Sequence, residues 1–155
     1  MADGSINVQQ LVAHSSPRLG GPSVVLAGYD RTDGSSHALA YAAGLAARAG
    51  ARLVVLNVNE PLALDGATGV LPCVEQTAGV EEIAGEVKRL VAACGDKCEV
   101  TVAVGDPASV IERIASEMHA DLIVVGQSRH RWMHPLGSVP ARLAHHAVHP
   151  VLIVP

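Results

Sequence analysis

Four short stretches of this chain are unbroken apolar runs: Val24-Val25-Leu26-Ala27, Leu53-Val54-Val55-Leu56, Leu122-Ile123-Val124-Val125 and Val151-Leu152-Ile153-Val154. A run this short and continuous suits a strand buried on both faces, since a half-buried strand alternates instead. Between the runs the spacing changes to that of amphipathic helices. Ala38, Leu39, Ala42, Leu45, Ala46 and Ala49 fall on one helical face, which Gly50 is placed to end. Val80, Ile83, Ala84, Val87, Leu90 and Val91 repeat the pattern and are closed by Gly95. Val110, Ile111, Ile114, Ala115 and Met118 do so again behind Asp106-Pro107, with Asp as N-cap and Pro at the first helical position. A last helix is expected from about Ser138 to Ala147, before the final strand. One further strand, Val100 to Val104, alternates with Thr101 and Ala103, which suits a sheet edge.

The order is therefore βαβαβαβαβ. Strands that alternate with helices form a parallel sheet covered on both faces, because each right-handed crossover needs a helix. The fold class expected is α/β, a single open parallel five-stranded sheet over residues 24–155. Residues 1–23, with Ser15-Ser16-Pro17 and Gly20-Gly21-Pro22, read as a flexible N-terminal tail. Asp30 to Ser36 reads as a turn. Residues 59–78, with Pro61, Gly66, Gly69 and Pro72, read as a long loop of the kind that is usually functional or mobile.

No apolar run is long enough to span a bilayer, and Met1 to Ser23 lacks the basic start and apolar middle of a signal peptide. A cytoplasmic protein with no membrane partner is expected. The net charge of −4 argues against nucleic acid as a partner. The charge is uneven, however. From Arg129 to Pro155 there is no Asp or Glu, while Arg129, Arg131, Arg142 and five of the eight histidines lie there. Such a region is either a solvated face or a place to hold an anion. Cys73, Cys94 and Cys98 form no metal-binding or redox pair and read as free thiols.

Open parallel sheets bind ligands beyond the carboxyl ends of their strands, at a switch point in strand order. Two loops qualify: Gly28-Tyr29-Asp30, and the stretch from Gly126 to Gly137-Ser138, where Ser138 caps a helix whose free N–H groups favour an anion. Asp30 also reads as a turn residue bonding its own loop, and Gly137-Ser138 as a plain helix cap. Enzyme readings fare poorly. Gly126-Gln127-Ser128-Arg129-His130 lacks the last glycine of a nucleophile elbow, and no acid follows Ser128. Gly28 to Gly34 does not supply a dinucleotide fingerprint. His134, His145, His146 and His149 have no acidic or Cys neighbour in sequence, so no metal site is expected. No nucleophile–base pair emerges, and no catalytic residue is assigned.

Several segments, taken in order, resemble the universal stress protein family from about Val24 to Val154. They are Gly28-Tyr29-Asp30, Leu56-Asn57-Val58-Asn59-Glu60-Pro61, Val104-Gly105-Asp106-Pro107-Ala108, Ala120 to Gly126, Gly137-Ser138-Val139, and His149-Pro150 with the last strand. The resemblance implies strand order 3-2-1-4-5 and a regulatory domain with an adenine-nucleotide site. ATP-binding members carry Gly, two residues, Gly, nine residues, then Gly-Ser or Gly-Thr. Here Gly126 and Gly137-Ser138 stand, but Arg129 replaces the second glycine, and only seven residues, His130 to Leu136, separate it from Gly137. The loop is two residues short and contains Pro135, which has no N–H to donate. The expectation is a weakened or altered site, with ATP and magnesium bound poorly if at all. AMP or a cyclic nucleotide suits the shorter loop, and Arg129 and Arg131 supply side-chain charge in place of backbone donors.

By the same resemblance Asp30 lies near the adenine and ribose end, and the Val58 backbone contacts adenine. The candidate nucleotide-binding residues are thus Gly28, Tyr29, Asp30, Val58, Gly126, Ser128, Arg129, Gly137, Ser138 and Val139. Some binders in the family hydrolyse ATP slowly, which the altered loop disfavours here. A ligand-free interaction module in the stress response is the other reading. The apolar run Val151-Leu152-Ile153-Val154, placed by the resemblance at a sheet edge, predicts a homodimer paired through that strand.

Overall fold

Continuous apolar runs need neighbours on both sides and helices on both faces. The computed structural model describes residues 21–60, 79–92, 97–127 and 138–155. In chain order the elements are β1 (Val24–Gly28), α1 (Asp33–Ala49), β2 (Arg52–Asn59), α2 (Val80–Leu90), β3 (Cys98–Val104), α3 (Pro107–Glu117), β4 (Leu122–Gly126), α4 (Val139–His146) and β5 (Val151–Val154). The five strands run in the order β3-β2-β1-β4-β5, as expected, and every pairing is parallel. On central β1, Leu26 sits beside Val54 on one side and Ile123 on the other.

Successive side chains of a strand point to opposite faces, and here each face has its own core. Val25, Ala27, Leu53, Val55 and Val124 pack under α1 and α2, against Leu39, Ala42, Ile83 and Val87. Leu26, Val54, Leu56, Ile123 and Val125 pack under α3 and α4, against Ile111, Ile114, Ala115 and Leu143. Both faces being dry, no polar residue interrupts the runs. Asp121 fixes where β1 begins, since its Oδ2 accepts from the N–H groups of Ser23 at 2.8 Å and Val24 at 3.0 Å.

Three boundaries differ from the sequence reading. α1 starts at Asp33, inside the segment expected to be a turn. The Thr32 side chain accepts from the Ser35 N–H at 3.2 Å, and Asp33 in the first turn complements the helix dipole. The Gly34-Ser35-Ser36 cluster hides this start, because those residues also favour turns. β2 runs on to Asn59, pairing with Val104 of β3, which itself begins at Cys98. β3 is mostly half-buried rather than cleanly alternating, with Val100 and Val102 against the first core and Ala103 against the second. On β5, Ile153 is 37% exposed and the other three residues are half-buried. No helix among the described residues is long and apolar enough to cross a membrane.

Candidate functional site

All five strands end on the same side of the layer, so the residues after β1, β2 and β4 share one surface. β1 and β4 are neighbours, and the chain leaves them toward opposite edges. That is the switch point at which ligands of such sheets bind.

The loop after β1 is tied down at every residue. Tyr29 N–H donates to the Leu56 carbonyl at 2.9 Å, extending the ladder by one step. The Tyr29 carbonyl accepts from Nδ2 of buried Asn57 at 2.8 Å. The Tyr29 ring lies in the first core, so its apolar body is packing surface. Its hydroxyl donates to Glu86 Oε2 at 3.3 Å, and burial together with the Glu86 charge raises its pKa. Asp30 Oδ1 accepts from the Thr32 N–H at 3.1 Å and from Thr32 Oγ1 at 2.6 Å, while the Asp30 N–H donates to Ser35 Oγ at 3.3 Å. The turn role weighed for Asp30 is therefore present. Both bonds to its carboxylate use Oδ1, and the residue is exposed. Arg31 adopts a left-handed backbone, φ 67°, with its guanidinium on Glu82 Oε1 at 2.9 Å and Glu86 Oε1 at 2.5 Å.

Gly126 ends β4. A Cβ there would lie 2.4 Å from the backbone C and O of Gly34 and 2.7 Å from the Ser35 nitrogen. Its glycine is thus required by the start of α1, which presses against the end of β4. Gly28 is tight for a similar reason, with Val125 Cγ1 3.1 Å from where its Cβ would be. Val58 and Val139 are half-buried and pack on the second core. Ser138 caps α4, accepting from the Ala141 N–H at 3.4 Å, and Pro140 in the first turn supports the start.

The sequence reading left two partners of this surface without a role. Asn57 and Glu86 hold Tyr29, across 28 and 57 residues of chain. Arg142 was placed only in a cationic stretch. Its guanidinium forks onto Asp106, Nη1 to Oδ1 at 2.5 Å and Nη2 to Oδ2 at 2.8 Å. Asp106 also caps α3, accepting from the Ser109 N–H at 3.0 Å and Ser109 Oγ at 2.6 Å. Arg142 first, then Ser109, hold the Asp106 carboxyl far below the usual carboxylate range. The Arg142 charge is thus committed to the join between α3 and α4.

Ser128, Arg129 and Gly137 lie outside the described residues, as do Arg131, His130, His134, Pro135, Gly95, Cys73, Cys94, residues 61–78 and most of the tail, residues 1–20. Among the described residues no three His, Cys, Asp or Glu side chains are grouped to hold a metal ion.

With this geometry in hand, comparisons with known proteins are specific. The family model for the universal stress protein family matches residues 23–155. A crystal structure of a universal stress protein in complex with cAMP is similar at 28% identity and a TM-score of 0.68, covering 88% of this chain and 99% of that one. A protein of the universal stress protein family from Burkholderia pseudomallei is similar at 32% identity and a TM-score of 0.59, covering 86% of this chain and 96% of its own. The universal stress protein UspA from Lactobacillus plantarum shares the fold, with 20% identity, a TM-score of 0.70, and coverage of 88% and 99%. Among curated proteins none matches.

Proposed function

The chain belongs to the universal stress protein family, and from that premise we propose that it is a non-catalytic regulatory domain whose switch-point site holds an adenosine monophosphate, cyclic or open, in preference to ATP. The observation that carries the reading is the position of Asp30, directly beyond β1, at the point where strand order reverses between β1 and its neighbour β4. Asp30 fits the sugar end of a nucleoside, since its exposed carboxylate keeps Oδ2 outside the turn bonds and a ribose hydroxyl is a donor. The preference for one phosphate follows from the sequence. Arg129 in place of a glycine and a loop two residues short offer fewer backbone donors to a triphosphate and its magnesium. The relative holding cAMP supports the same ligand class.

Isothermal titration of the purified chain with cAMP, AMP and magnesium-ATP tests this. The monophosphates are expected to bind at least about tenfold tighter than ATP, a difference of roughly 1.4 kcal/mol. ATP binding tightest would overturn the preference. Asp30→Ala and Ser138→Ala should each weaken the bound nucleotide, and unchanged affinity in both would move the site elsewhere.

A second reading concerns assembly. β5 is an edge strand with no fully buried residue, and such an edge invites a partner strand. Antiparallel pairing with β5 of a second copy would bond its free backbone groups about a twofold axis. Leu152 packs on the first core, so its replacement would damage the monomer too. Ile153, the exposed one, is the better probe. Sedimentation equilibrium should give a dimer that Ile153→Lys dissociates. A wild-type monomer at micromolar concentration would remove this reading.

A further inference from the structure

Arg31 is one of two non-glycine residues with positive φ among the described residues, at 67°. A left-handed backbone at a residue with a Cβ is strained, and it persists only where the surroundings over-determine it. Arg31 follows Asp30 directly, and Tyr29 precedes it. Both neighbours end on one side chain of α2. Glu86 Oε2 accepts from the Tyr29 hydroxyl at 3.3 Å, and Glu86 Oε1 accepts from Arg31 Nη2 at 2.5 Å. Its side chain is only 20% exposed, against 55% for Glu82, the other partner of Arg31. The two carboxylates are therefore unequal. Glu82 is a solvated ion-pair partner, while Glu86 is a half-sheltered anchor with both oxygens engaged. On the other side of the loop, Asn57 fixes the Tyr29 carbonyl.

We infer that Glu86 is a positioning residue for the nucleotide site: by holding Tyr29 and Arg31, it sets the backbone on both sides of Asp30 and so aims that carboxylate beyond the end of β1. This inference rests on the reading of the switch point as a nucleotide site. Glu86 touches no ligand in it. Its effect is preorganisation, since a loop already in its bound shape loses less freedom when the ligand arrives. It also makes α2 a lever on the site, because a shift of that helix would carry Tyr29 and Arg31 with it. A tyrosine hydroxyl is a donor at neutral pH already at its ordinary pKa of about 10, and burial with the Glu86 charge moves the Tyr29 value further up.

The test uses the full chain and two readouts, cAMP affinity by titration calorimetry and amide hydrogen exchange resolved to residues 30–36. In Glu86→Ala, cAMP binding should weaken roughly tenfold. Exchange at Thr32 and Ser35 should quicken, while Leu26 and Val54 in the sheet exchange as in wild type. Glu86→Gln keeps one acceptor and should fall between the two. Should wild type bind no adenosine monophosphate, the functional reading fails, yet the exchange data still decide on Glu86. Faster exchange confined to the loop supports the inference. Loop exchange equal to wild type overturns it. So does quickened exchange throughout the sheet, which would make Glu86 a contributor to global stability alone.

Discussion

The carboxyl end of the sheet carries two arginine–carboxylate braces, one on each face, and they do different work. On the face of α1 and α2, Arg31 reaches Glu82 and Glu86 and holds a loop whose backbone is strained. On the face of α3 and α4, Arg142 forks onto Asp106 and joins two helix starts that are already regular. The first brace maintains a shape the chain would otherwise leave. The second adds stability to shapes that local sequence already favours, since Asp106 caps α3 and Ser138 caps α4. The first should therefore matter more to binding than to stability, and the second the reverse. Between them Gly126 and Gly34 hold the end of β4 against the start of α1.

The largest effect is expected from forcing that contact apart. Gly126→Ala places a Cβ 2.4 Å from Gly34 backbone atoms, which cannot yield as a side-chain tip can. Overpacking against backbone should cost about 3 kcal/mol, read as a lower urea midpoint. Gly34→Ala meets the Gln127 carbonyl at 3.0 Å and should cost less. Equal effects from the two would mean that the start of α1 yields to a Cβ at Gly126, and the close contact between the braces would not be a rigid one.

Next comes the second brace. Asp106→Ala removes a helix cap and leaves the Arg142 fork without its partner, for a loss of about 1–2 kcal/mol at neutral pH. The pH dependence has a fixed sign. The folded carboxyl is held far below its ordinary range, so the unfolded chain takes up the proton first. Its contribution is therefore present in full above the unfolded value of about 3.9, and it drains away as pH falls from there toward the folded value. Wild type and variant should differ by a constant amount from about pH 5 upward and converge in acid. A gap that widens in acid would contradict the assignment. Affinity for cAMP should change little, in contrast to Glu86→Ala.

These two braces also mark what was legible in the sequence. The two covered faces could be read because a dry face leaves unbroken apolar runs, and the β3 edge because its residues alternate; strand order and the β5 edge were implied by the family resemblance, not by the runs. The caps Asp106-Pro107 and Ser138 could be read because a cap is a local event within one turn. The braces could not. Arg142 and Asp106 stand 36 residues apart, and Arg31 and Glu86 stand 55 apart, on exposed or half-buried positions with no pattern of their own. Gly126 was legible as the start of a candidate ligand loop, but not that the Gly34 backbone presses against it. The start of α1 was missed because Gly, Ser and Asp serve a turn and a first helical turn alike.

The smallest effect on stability, and the sharpest test of the first brace, belongs to Arg31→Gly. Arg31 is 43% exposed, so its ion pairs with Glu82 and Glu86 are screened by solvent and add little to stability. Glycine gives these up and loosens the unfolded chain, at a cost of roughly 0.5–1 kcal/mol. Against this, glycine adopts φ 67° freely and relieves a strain of about 1–2 kcal/mol. These terms oppose one another, so the net change in stability should be small, and added salt should shift it in favour of the variant by weakening wild type. A double-mutant cycle then isolates the brace. In the Glu86→Ala background the strain is held by fewer contacts, so Arg31→Gly should be more favourable there than in wild type. Urea midpoints of the four proteins decide it. A loss of stability from Arg31→Gly alone as large as that from Asp106→Ala would show that the ion pairs stabilise the fold itself, and the contrast between the two braces would fail.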